Sequence, residues 1–182
     1  EGRVTTLAKP TGSTVDPVIL IVSLSLSLAI GLGIGRFAYS LVLPDMRDSL
    51  GWSYSTAGFM NTINAIGYLA GALGASQVVR RIGAFNAVWL GTVICLGALA
   101  LSAVSGAVVP FATARLLLGV GAAFSLVGGG ALCATIAQAH PARAAVLLSL
   151  FYLGPAIGII VSGLVSPFVL EAFGRGTWWL VW

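Results

Sequence analysis

Two arginines, Arg36 and Arg115, lie inside long apolar runs, and they are the side chains of this sequence best placed to do chemistry. A guanidinium in hydrocarbon is costly, so it normally faces protein or a water-filled cavity. Its planar fork of N–H donors suits a carboxylate or phosphate held in bidentate fashion. Arg36 precedes Pro44 by eight residues, and Arg115 follows Pro110 by five. At 1.5 Å per residue, each is expected roughly 8–12 Å in from the outer end of its helix. The two helices run in opposite directions, so both guanidinium groups fall in one layer, where they could contact a solute or take part in coupling. The alternative is structural: an arginine can snorkel to the interface or brace its neighbours through backbone carbonyls. Asn61 and Asn64 share a face of the next helix and either line a cavity or bond between helices. Tyr39, three residues after Arg36, is placed on the same face as that arginine.

The elements that position these residues follow from composition. Of 182 residues, 58% are hydrophobic and 8% are charged, against roughly 25% charged in soluble domains. The apolar residues come in runs, so the solvent is lipid. The net charge of +4 comes from scattered basic residues without a basic stripe, and a nucleic-acid partner is not expected. Residues 1–16 read as a polar cytoplasmic lead-in. Membrane spans are expected at about 17–43 (ended by Pro44), 54–79, 85–104, 109–137 and 144–170, with a truncated sixth at 177–182. The fold class is thus all-α, a polytopic transmembrane bundle with residues 17–182 as its membrane domain. The chain begins without methionine and stops as WWLVW opens another apolar run, so it is expected to be part of a longer polypeptide. The first run far exceeds a signal-peptide core of about 7–15 residues.

Loop charges orient the bundle. With the N-terminus in the cytoplasm, the inner segments hold Arg3, Lys9, Arg80, Arg81 and Arg143, and the outer ones hold Arg47 and Arg175. That distribution follows the positive-inside rule. Trp52 and Trp178 fall near outer boundaries, where interfacial aromatics gather. Gly67-x3-Gly71 and Gly154-x3-Gly158 permit close helix approach, and the triplet Gly128–Gly130 suits tight packing or a bend.

Several chemistries fail on spacing. Gly31-x-Gly33-x-Gly35 lacks the third glycine of a dinucleotide loop, since Arg36 follows, and no βαβ unit surrounds it. His140 is the sole histidine and has no partner at ligand or triad spacing. Cys95 and Cys133 lie apart within apolar runs and read as buried thiols. No catalytic residue, metal site or cofactor is expected. No Asp or Glu falls inside a span; Asp45 and Asp48 lie at the outer mouth. Proton coupling is left open, through the arginines or through chain beyond Trp182. The reading is a membrane transporter of a small organic solute, preferably anionic. A different class, a non-transporting membrane scaffold, is suggested by the abundance of small-residue helix contacts.

The wording GIGRFAYSLVLPDM, followed by AGFMNTINAIGYLAGALGA, resembles the YbfB/YjiJ-type branch of the major facilitator superfamily, over roughly residues 18–182. The layout resembles the N-terminal six-helix half of that fold. Between spans two and three, Arg81 and Gly83 match the family's Gly-x-x-x-Asp-Arg-x-Gly loop, but Arg80 replaces the aspartate and Asn86 falls near the later basic site. Arg115-LLL-Gly119-Val-Gly121 resembles its proton-coupling motif, with Leu118 for a frequent glutamine. Gly154-Pro155-x-x-Gly158 resembles the core of its exporter motif, with Ile159 for a second glycine. The resemblance implies an inner-membrane permease and a C-terminal six-helix half as partner. It also implies alternating access, with spans one and four lining the cavity. A proton-coupled exporter of drugs or metabolites is the alternative within transport.

Overall fold

The structure is a computed structural model and describes residues 16–182. The expected lead-in lies outside the described residues, apart from Asp16. Five long helices make up the bundle: α1 (Pro17–Leu50), α2 (Tyr54–Ile82), α3 (Ala84–Val104), α4 (Val108–Ala139) and α5 (Ala144–Phe173). Short 3-10 turns cover Pro141–Arg143 and Trp178–Val181. Among the described residues there is no strand.

α1 starts where the Asp16 carboxylate accepts from the N–H of Val18 at 2.8 Å, with Pro17 in the first turn, a standard N-terminal stop for free donors. Its middle, Ala29–Ile34, winds as a π-helix in which the Gly35 N–H reaches back to the Ile30 carbonyl. The helix then continues through Pro44 to Leu50, where Gly51 adopts a left-handed conformation. The expected stop at Pro44 does not occur. Pro44 is exposed, and Val42 and Met46 on either side of it are fully buried with Tyr39, Met60 and Phe111. That burial outweighs the one lost backbone bond. Pro155 and Pro167 are likewise carried inside α5.

Glycines set the helix spacing. A Cβ added at Gly33 would lie 2.5 Å from the Gly158 Cα, and one at Gly154 would lie 2.1 Å from the Ser25 carbonyl, so α5 rides directly on α1. Likewise a Cβ at Gly67 would lie 2.1 Å from the Leu116 carbonyl, and one at Gly119 2.2 Å from that of Asn64, which joins α2 to α4. Gly91 and Gly121 join α3 to α4 in the same way. This is the small-residue packing by which membrane helices associate without a hydrophobic driving force. Gly128 and Gly129 sit inside an uninterrupted α4, and a Cβ at Gly129 would meet the Phe151 ring at 2.8 Å. Tight packing accounts for Gly128 and Gly129, whereas a Cβ at Gly130 would meet nothing closer than 4.0 Å.

Between α1 and α3 the hydroxyls of Ser27 and Thr92 lie 2.6 Å apart. Thr92 donates its proton to the Val88 carbonyl, so Ser27 is the donor of the pair. Ser27→Ala is expected to cost about 0.6 kcal/mol, the usual worth of an interhelical hydrogen bond in a membrane. Reversible unfolding in detergent micelles measures it.

The exterior is apolar. Leu73, Phe85, Trp89, Leu164 and Phe168 are all more than 60% exposed, an arrangement that water does not tolerate over so wide a surface. α1, α3, α4 and α5 are long and apolar enough to cross a membrane. α2 is more polar, but its 29 residues extend about 44 Å. It packs against α4 through Asn64, Gly67 and Gly71. Trp52 and Trp178, expected at the interface, are instead buried around Phe111 at the end of the bundle where α1 and α5 finish, with ring centroids 5.4 and 6.5 Å away.

Candidate functional site

Arg115 is wholly buried, at 0% exposure. Its Nη1 donates to the Gly35 carbonyl at 2.7 Å and its Nη2 to Asn61 Oδ1 at 3.3 Å. The guanidinium carbon stands 4.4 Å from the centre of the Tyr39 ring. The Arg115 carbonyl accepts from Asn64 Nδ2 at 2.9 Å, and the Tyr39 hydroxyl donates to the Ala57 carbonyl at 2.8 Å. A buried cation needs polar partners to replace its lost hydration. Here a carbonyl, an amide oxygen and a ring face supply them, while Nε has no partner. One side chain thereby links α1, α2 and α4.

Arg36 lies at the same level, next to the Gly35 carbonyl that Arg115 binds, but in different surroundings. It is exposed and lines an open hollow of about 430 Å³ with Leu32, Phe37 and Ser40 of α1, Asn61 of α2 and Pro155 of α5. Leu32, Arg36 and Ser40 are successive i+4 positions and form one stripe along α1. Other faces of this part of α1 are engaged at Gly33 by α5 and at Gly35 by Leu118 of α4. Among the described residues none forms a hydrogen bond or ion pair with the Arg36 side chain, and none lining the hollow is acidic. The hollow can thus receive an anionic group.

The structure gathers Arg115, Tyr39, Asn61 and Asn64 into one cluster. Only Asn61 also reaches the hollow. Tyr39 packs beneath Arg115 and not beside Arg36. Leu32, Phe37 and Ser40 escaped the sequence reading, although the spacing of Leu32 and Ser40 from Arg36 was signal enough for two of them. Asp45 accepts the Gly176 N–H on both carboxylate oxygens, at 2.8 and 3.0 Å, and ties the C-terminal part of α1 to the turn after α5.

The motif residues divide by role. Gly83, at φ +84°, joins α2 to α3 in a conformation that only glycine adopts cheaply. Arg81 is exposed, and Arg80 donates to Gln77. Gly119, Gly154 and Gly158 are helix contacts, whereas Pro155 belongs to the hollow's lining.

A multi-pass helical bundle with a lipid-like exterior and a charged hollow in its flank has the build of a membrane transport protein. The family described as uncharacterised MFS-type transporter YbfB matches residues 28–182, and the chain belongs to it. It is thus an all-helical membrane transporter of the major facilitator type, corresponding to the N-terminal half of that fold. No curated protein matches the chain.

Proposed function

We propose that the chain forms half of a secondary transporter that carries a small organic anion by alternating access. A C-terminal six-helix half would close the opposite side of the hollow. The N-terminus lies in the cytoplasm and the bundle spans the inner membrane, as the five basic residues of the inner segments against two outside support. The reading rests on one observation: an exposed guanidinium that, among the described residues, has no partner and shares its hollow with no acidic side chain. Transport rather than scaffolding explains why a charge is kept in such a place, since an intramembrane cation without a partner is costly. Of Gly154-Pro155, which suggested export, Gly154 packs against α1 and Pro155 lines the hollow, and neither placement carries an argument for direction.

The test compares solutes taken up or extruded by cells that express the full-length protein or its Arg36→Ala variant. Losing one charge-assisted contact is expected to reduce transport roughly 10- to 100-fold, with membrane insertion unchanged. A variant that inserts normally and transports at the wild-type rate removes Arg36 from the site and the reading with it.

A further inference from the structure

The hollow offers an anion more than one cation, because Asn61 is held in a single orientation. A guanidinium has donors and no acceptor, so the Asn61 atom that meets Arg115 Nη2 must be its oxygen. With the oxygen engaged, the amide end left for the hollow is the NH₂ donor. Arg36 presents only donors as well, and the Ser40 hydroxyl one turn further along can donate a third hydrogen bond. The rest of the lining, Leu32, Phe37 and Pro155, is apolar.

Resting on the transport reading, we propose that this hollow selects a monocarboxylate with an apolar or aromatic body, and that Arg115 is a positioning residue that fixes Asn61 as a donor. The carboxylate would sit against the Arg36 fork and the Asn61 amide, and the hydrocarbon body would lie on Phe37, Leu32 and Pro155. One free guanidinium balances one negative charge. A second carboxylate or a phosphate dianion would bring an unpaired charge against apolar wall, since Arg115 is wholly enclosed. A neutral amide would forfeit the ion pair and set an NH₂ group against donors.

Thermal unfolding of the purified full-length protein tests this, with benzoate, hexanoate, 4-methyl-2-oxopentanoate, benzamide, succinate and inorganic phosphate as probes. At least one of the three monocarboxylates is expected to stabilise the protein. Benzamide, succinate and phosphate are expected to bind about tenfold more weakly or worse. Asn61→Asp separates positioning from folding. The new carboxylate still accepts from Arg115, so the unliganded melting temperature holds, yet it faces the hollow with negative charge and abolishes the monocarboxylate response. Stabilisation by succinate, phosphate or benzamide equal to that by the best monocarboxylate overturns the proposal. So does an Asn61→Asp protein that responds as the wild type does, or a protein indifferent to all three monocarboxylates. Each of those results leaves the transport reading standing if Arg36→Ala still loses transport.

Discussion

Gly67→Ala is expected to destabilise the bundle by about 3 kcal/mol, the upper end of the cost of overpacking. The added Cβ would lie 2.1 Å from the Leu116 carbonyl and 3.1 Å from its Cα. A backbone atom cannot swing aside as a side-chain tip can, so α2 and α4 must separate along their shared face. Separation also loosens the Asn64 bond to the Arg115 carbonyl and the Asn61 bond to Nη2, which lie on the same seam. Gly58→Ala is the matched control, because nothing lies within 4 Å of a Cβ there. In that open place alanine is the better helix former by about 1 kcal/mol. Reversible unfolding of the two variants in mild detergent, followed by tryptophan fluorescence, should move in opposite directions. Equal stabilities would mean that the close approach contributes nothing.

Arg115→Ala is expected to cost roughly 3–5 kcal/mol, as other large-to-alanine changes in a core do. It removes two donors and a ring contact and leaves a void between three helices. Arg115→Met separates the charge from the volume. A buried ionic group replaced by an apolar one of similar size is often neutral for stability, so the methionine protein should recover most of the loss. It should nonetheless fail to hold Asn61 and so lose the monocarboxylate response. Calorimetry or denaturant titration gives the stability of both variants. If alanine and methionine fall equally, the hydrogen bonds and not the packing carry the stabilising role.

Hydropathy made the helical membrane architecture legible, since lipid demands runs of apolar residues long enough to span it. The glycine pairs at Gly67 and Gly154 announced close helix contacts, because spacing by four residues keeps them on one face. That Arg36 and Arg115 share a level was legible, as the Arg115 bond to Gly35 reflects; the depth of Arg36 was not, because it was counted from Pro44 and α1 runs on to Leu50. Nor were their surroundings. Distance along a helix axis fixes height but not the direction in which a side chain leaves the helix, and only the neighbours decide that. The π-helical stretch had no warning beyond two glycines, and it changes the azimuth of every residue after it. Pro44 misled because the local backbone cost is visible in sequence while the distant Phe111, Met60 and Trp178 that offset it are not.

The wide turn at Ala29–Ile34 bears on how a polypeptide of this kind tolerates length change. It carries one residue more than an ordinary helical turn would need, and the surplus is absorbed locally. A cousin lacking a single position between Leu28 and Gly35 would wind as plain α-helix there and still aim Ser25 at α5 and Arg36 at the hollow. An alignment gap at that point would therefore mark a change of winding, with the wall of the hollow left where it was.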